Sequence, residues 1–232
     1  MIKRSLILLT IFVWSFIAVA QPDAPDTKQK FAQAQKENAA AMHRFTWKSR
    51  TELKLKGESK KVKVEQVRYG ADGQLQKITL EESSPAPEEQ KRGRRGGRLK
   101  QKVIENKKEE FADLMQQLVV VAQSYGHIPP VQLQAFLKNA QFSMGKGTYE
   151  GTIQITGMGA LNPQDSMNIW IDKQTLMMRR IEISTLLDQK PVQMTSEYIQ
   201  MTNGPNFQSR ATLEYPAKQI QVTVANFDQQ QL

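Results

Sequence analysis

The chain has 232 residues with no cysteine, two histidines and a formal charge of +9, which leaves no material for a disulfide framework, a thiolate nucleophile or a cysteine-built metal centre. Lys3 and Arg4 account for two of the positive charges; nine more, Lys91, Arg92, Arg94, Arg95, Arg98, Lys100, Lys102, Lys107 and Lys108, stand between positions 91 and 108 against Glu105 alone. The rest of the chain is close to neutral, so attraction to an anionic partner is expected through that one segment rather than through the whole surface.

After Lys3 and Arg4 comes an apolar run at 6–19, ending in the small residues Ala18-Val19-Ala20 before Gln21. The run falls short of the ~20 apolar residues that span a bilayer, and its order of charge, apolar stretch and small-residue site is that of a secretory signal peptide cleaved after Ala20. No cysteine follows to carry a lipid. Residues 21–232 are accordingly expected in the periplasm as a single domain, long enough to bury a core.

Residues 27–44 read as a helix capped by Asp26 or Thr27. Its apolar face, Phe31, Ala34, Ala41 and Met42, is thin, so it is expected to lie on another element rather than in the core. At Phe45 the period changes to two, with Phe45, Trp47, Leu53 and Leu55 on one face and Lys48, Arg50, Glu52 and Lys54 on the other. Val62, Val64, Val67 and Tyr69 continue the alternation with a slip at Glu65-Gln66 that a bulge accounts for. Asp72-Gly73 then turns the chain into a strand at 75–80. Residues 82–106, with Pro85, Pro87 and the basic run, have almost nothing apolar to bury and read as a mobile surface loop.

An amphipathic helix follows, with Phe111, Leu114, Met115, Leu118, Val121, Ala122 and Tyr125 on one side and Gly126 at its end. Pro129 and Pro130 introduce a shorter helix carrying Val131, Leu133, Phe136 and Leu137. The last third reads as strands at 148–156, 167–171, 176–187, 192–201, 207–215 and 219–224. Their connections are too short for crossover helices, which predicts an antiparallel meander. Its apolar face is one-sided: Ile153 and Ile155; Met167, Ile169 and Ile171; Ile181, Ile183 and Leu187; Leu213 and Tyr215; Ile220, Val222 and Val224.

Catalytic chemistry has little to work with. The imidazoles are His43, at a helix end, and His127, in a Gly-His-Ile-Pro-Pro loop. The paired acids Glu81-Glu82, Glu88-Glu89 and Glu109-Glu110 fall in loops or a first helical turn, where solvated faces are their ordinary role. Gly145-Lys146-Gly147-Thr148 lacks the G-x-x-x-x-G-K-S/T spacing and leads into a strand, not a helix. No catalytic residue, metal ligand or cofactor is expected. The basic segment has three readings: a solvated linker, a segment docking on an anionic membrane surface through Arg92, Arg94, Arg95 and Arg98, and a nucleic-acid contact. The last lacks interleaved aromatics for stacking, so no nucleic acid is expected as a partner.

The order of helix, three strands, basic loop, two helices and long antiparallel meander resembles the periplasmic lipoprotein carriers of the LolA type. Within it Met167-Asn168-Ile169-Trp170-Ile171-Asp172-Lys173-Gln174-Thr175-Leu176, a strand, a tight turn and the next strand, looks like the stretch by which that family is best recognised. The resemblance implies an α+β fold: a strongly curved, open antiparallel half-barrel with an N-terminal helix and a two-helix lid over its concave apolar face. It also implies non-covalent carriage of a lipid or an acylated protein. The cavity lining expected on that basis is Phe45, Trp47, Leu53, Ile169, Ile171 and Ile181 from the sheet, with Phe111, Leu114 and Leu118 from the lid. The alternative is an envelope structural or signalling module whose sheet face is filled by its own helices and which docks through the basic loop.

Overall fold

The computed structural model of the chain describes residues 24–83, 97–126, 130–202 and 204–232. Helix α1 (Ala24–Met42) leads into three strands, β1 (Phe45–Leu55), β2 (Glu58–Tyr69) and β3 (Leu75–Ser83). Helices α2 (Gly97–Gly126) and α3 (Pro130–Asn139) follow. The chain then runs through β4 (Gln141–Met144), β5 (Thr152–Met158), β6 (Ser166–Asp172), β7 (Met178–Leu187), β8 (Lys190–Gln200), β9 (Asn206–Tyr215) and β10 (Ile220–Gln231). The segment expected as a signal peptide lies outside the described residues, as do Arg92, Arg94 and Arg95. No helix among the described residues is long and apolar enough to cross a membrane.

These ten strands form one antiparallel sheet in the order β3-β2-β1-β10-β9-β8-β7-β6-β5-β4. The fold is α+β, and the sheet is an open half-barrel with β3 and β4 at its edges. Neighbours in the sheet are neighbours in sequence except at one seam, where β1 pairs with β10 and sets Leu53 opposite Val222 and Thr51 opposite Val224. The seam extends β10 to Gln231, beyond its apolar stretch, because Phe45 pairs with Gln231 along β1. The bulge expected at Glu65-Gln66 is corrected: β2 pairs continuously with β1 from Val62 to Arg68, and the extra residue is Leu80 on β3, since Val64 pairs with Glu81 and Glu65 with Thr79. Val62 and Val64 therefore face away from Val67 and Tyr69. Strand β4 has no counterpart in the pattern analysis, being only four residues long.

The loop expected over 82–106 is corrected at both ends. Strand β3 continues to Ser83, and α2 begins at Gly97, so Arg98 belongs to a helix. Leu99 and the Lys, Arg, Gln and Glu residues around it are good helix formers, and Ile104, Phe111, Leu118 and Tyr125 recur every seven residues. The high charge concealed this periodicity.

Between β3 and β4 the chain must pass from one sheet edge to the other. Ten strands at roughly 4.8 Å spacing are about 43 Å across. The 30 residues of α2 reach about 45 Å at 1.5 Å per residue. The helical connection therefore crosses one face, and that face holds the core. Ile155, Ile169, Ile171, Val192, Leu213 and Ile220 are buried there against Phe31 of α1, Leu118 and Tyr125 of α2 and Phe136 and Leu137 of α3. Phe136 packs where β5 carries Gly157, at which an added Cβ would meet the ring at 2.6 Å.

Helix α1 lies on the sheet, and of its described side chains Phe31 alone is buried, reaching the core. Asn38 anchors the helix by pairing its side-chain amide with the backbone of Asn206: its Nδ2 donates to the carbonyl at 2.8 Å and its Oδ1 accepts from the N–H at 2.6 Å. Gln35 Nε2 donates to the carbonyl of Leu176 at 3.1 Å, in the turn between β6 and β7. Asp172 organises that turn, accepting from the backbone N–H groups of Gln174 and Thr175 at 3.0 and 2.9 Å and from Arg179 at 3.0 Å.

Burial raises the Asp172 pKa, but hydrogen bonds from Thr175, Arg179 and Gln174 outweigh it and bring the value down to about 2. The fold favours the ionised carboxylate, so its contribution is complete above about pH 5 and is lost as the pH falls through the folded-state value. Asp172→Ala is expected to cost about 1–2 kcal/mol at neutral pH. Urea unfolding at pH 7 and at about pH 2 checks this, with the gap between variant and wild type narrowing in acid.

Candidate functional site

The helices do not fill the whole concave face. Beneath α2 a partly open cavity of about 450 Å³ remains, roofed by Met115, Leu118, Val119, Ala122 and Tyr125. These residues repeat at three and four positions, one stripe of the helix. The floor is laid by alternate residues of adjacent strands: Leu53 of β1, Val222 and Val224 of β10, Leu213 of β9, Met194 of β8 and Ile181 and Ile183 of β7. The β1–β10 seam runs through this floor, since two of its cross-strand pairs, Leu53 with Val222 and Thr51 with Val224, line the cavity.

Toward β2 and β3 the lining changes character to Lys61, Lys63, Glu65 and Lys77. Thr195, Ser196, Tyr198, Gln208 and Thr212 add hydroxyl and amide groups. Burial pushes the Tyr198 hydroxyl above its ordinary value, against hydrogen bonds from Gln208 and Ser196. The cavity is thus apolar in its depth and cationic at one end, a shape for a molecule with a long apolar part.

Of the expected lining residues, Leu53, Ile181 and Leu118 border the cavity; Phe45, Trp47, Ile169, Ile171, Phe111 and Leu114 do not. Trp47 is buried on β1 with its ring tilted against Tyr69 at 5.8 Å, and His43 stacks on the same Tyr69 at 4.4 Å. The nearest lining residue along that strand, Thr51, is four positions on, about 13 Å away. Phe45 lies beside Gly204, whose added Cβ would reach the ring at 3.6 Å. Ile169 and Ile171 are buried in the core that also holds Phe31 and Phe136, where the protein's own side chains take up the space. Phe111 and Leu114 pack against that core from α2.

Periodicity gave the correct face, but not the stretch of it that the helices leave uncovered. Val222 and Val224 are legible in the sequence as inward-facing; Lys61, Lys63 and Lys77 carry no signal, because a lysine on a strand reads as the solvent face. Among the described residues no group of three His, Cys, Asp or Glu side chains is placed to hold a metal ion.

One end of the roof is held by a buried polar cluster. Tyr125 of α2 donates to Asp165, whose Oδ1 accepts from Thr185 of β7 at 2.6 Å. The backbone N–H groups of Leu161 and Asn162 donate to Asp165 Oδ2 at 3.1 and 2.6 Å. Asp165 is 0% exposed, so an unpaired carboxylate would be costly here, and these four donors satisfy it. Burial pushes its pKa up, but the hydrogen bonds from Thr185, Tyr125, Asn162 and Leu161 prevail and hold it below the ordinary 3.8. Burial and then the bond to Asp165 push the Tyr125 phenol up to about 12.

No protein-family model and no curated protein matches the chain. Among solved structures it is similar to a LolA superfamily protein from Nitrosomonas europaea, at 10% identity and a TM-score of 0.42, over 88% of this chain and 93% of that one. It is similar to a DUF1329 family protein from Desulfovibrio piger at 10% identity and a TM-score of 0.46, over 88% and 92%. A third, at 9% identity and a TM-score of 0.36 over the same shares, is a Vibrio parahaemolyticus domain described as an outer membrane lipoprotein-sorting protein.

The Tyr125–Asp165 cluster should weaken at both ends of the pH range. The ionised Asp165 is favoured by folding, so its contribution is complete above about pH 5 and lost as the pH falls through its depressed value. The neutral Tyr125 is favoured, so its contribution is complete below about pH 10 and lost as the pH rises through its folded value of about 12. At pH 7, Tyr125→Phe is expected to cost about 1–2 kcal/mol and Asp165→Asn about 3 kcal/mol. Urea unfolding checks both, and amide hydrogen exchange should rise first in the C-terminal turns of α2.

Proposed function

We propose that the protein is an exported periplasmic carrier that holds a lipid or the acyl chain of a lipidated polypeptide without covalent chemistry. The observation that carries this reading is the apolar cavity of about 450 Å³ between α2 and the sheet. Taking a methylene group as roughly the ~30 Å³ of a water molecule in liquid, that space suits about 15 methylenes, one acyl chain. Each methylene moved out of water contributes about 0.8 kcal/mol, so a chain of that length contributes about 12 kcal/mol, which exceeds most of the range of roughly 4–15 kcal/mol lost on association. Met115 and Met194 in the lining suit chains of differing shape, because an unbranched thioether repacks at small cost.

The leader expected at residues 1–20 supports export. The alternative of an envelope module whose sheet face is filled by its own helices has the cavity against it. Loading is easiest if α2 rises from the sheet, and among its described side chains only Leu118 and Tyr125 are buried. A helix held by so few anchors opens at lower cost than the sheet beneath it.

A neutral lipophilic dye, phenylnaphthylamine, should gain fluorescence on mixing with the purified protein at a one-to-one ratio. Ala122→Trp, which places an indole in the cavity from the roof, should weaken uptake by about tenfold or more while leaving the circular dichroism spectrum unchanged. A folded wild-type protein that takes up no dye, and carries no co-purifying lipid in native mass spectrometry, would overturn the carrier reading.

A further inference from the structure

The cavity's two ends differ in charge. Its lining contains three lysines, Lys61, Lys63 and Lys77, against a single carboxylate, Glu65, all on β2 and β3. Lys63 spends part of its charge on Glu65 at 2.5 Å, and Lys61 is paired with Glu82 at 2.7 Å. Lys77 has no carboxylate partner among the described residues and lies on the exposed edge strand β3. It sits opposite Val67, next along the same face from Glu65. The opposite end, formed by Leu118, Ile183 and Met194, offers no charge at all.

Apolar walls beside a group of cations raise their effective field, because the low-dielectric side screens less than water does. From this asymmetry we infer that the preferred occupant is a single-chain amphiphile with an anionic head, a carboxylate or phosphate. Its chain lies under α2 and its head lies among Lys61, Lys63 and Lys77. The inference rests on the carrier reading and adds the charge and orientation of the cargo. Lysine suits this role as a compact point charge on a flexible stem, able to follow heads of different shape.

The test is isothermal titration of the full-length protein, below micelle concentrations, with dodecanoate, dodecyl phosphate, a neutral monododecanoyl glycerol, dodecyltrimethylammonium and inorganic phosphate. The two anionic amphiphiles should bind about tenfold more tightly than the neutral ester, as expected for one charge-assisted contact, with the cationic one weakest. Lys77→Glu should bring the ratio of anionic to neutral affinity to about one, and Lys77→Arg should keep it near its original value. In the wild-type protein, added salt should weaken dodecanoate more than the neutral ester, a readout that stands even if a Lys77 variant folds poorly.

Equal affinity for anionic and neutral chains would overturn the head-group inference and leave the carrier intact. Binding of inorganic phosphate as tight as that of dodecyl phosphate would also overturn it, in favour of a surface anion site. A folded protein that binds none of the amphiphiles would overturn both readings.

Discussion

The pairing of the first strand with the last governs this structure. Without the β1–β10 seam, β1 to β3 would be a detached three-stranded sheet, and the seven later strands a second one with both long edges open. Joining them at Leu53–Val222 and Thr51–Val224 makes one sheet whose sequence-adjacent ends, β3 and β4, stand at opposite edges. The chain between them has no short route. It crosses the inner face as helix, because only a helix brings its own backbone hydrogen bonds across an apolar surface. The helical lid and the cavity beneath it follow from that crossing.

The crossing is incomplete as a cover, which is the origin of the site. A helix is about 10 Å wide with its side chains, and the face beneath it is several times broader. At the β5–β6 side, α3 and α1 complete the cover, with Phe136 seated at Gly157 and Phe31 fully buried. At the β1–β10 side α2 roofs the sheet, and Leu53, Val222 and Val224 border the cavity. The buried cluster of Tyr125, Asp165 and Thr185 fixes one end of that roof. It does so with polar contacts of defined direction, which hold the helix in position without filling the space beside it.

Local pattern made much of this legible and left the decisive part out. Period-two alternation at Phe45, Trp47, Leu53 and Leu55, and at Ile153 to Val224 in the meander, identified the inner face, and hairpin turns gave the antiparallel pairing of sequence neighbours. The seam was not legible, because β1 and β10 are brought together over more than 160 residues and nothing in either strand specifies the other. Hence Trp47, the largest side chain on β1, was expected at the cavity, whereas the uncovered stretch begins at Thr51. Nor was the start of α2 legible, since its seven-residue repeat through Ile104, Phe111, Leu118 and Tyr125 enters through a run dense with Lys and Arg.

Those misread features have one physical cause. Sequence periodicity reports which side of an element faces inward, while a cavity is set by how far neighbouring elements fail to meet. The lysines show this most clearly: Lys61 and Lys63 alternate with valines on β2, so the pattern assigns them to solvent. Once β2 is paired with β1, Lys63 stands opposite Thr51 and Lys61 opposite Leu53, in the row that forms the cavity wall. A charged residue placed on the inner face of a sheet destabilises a filled core and is tolerated beside an open one. Lysines in this row therefore fit a face that the protein's own side chains leave partly uncovered, and do not fit a sealed core.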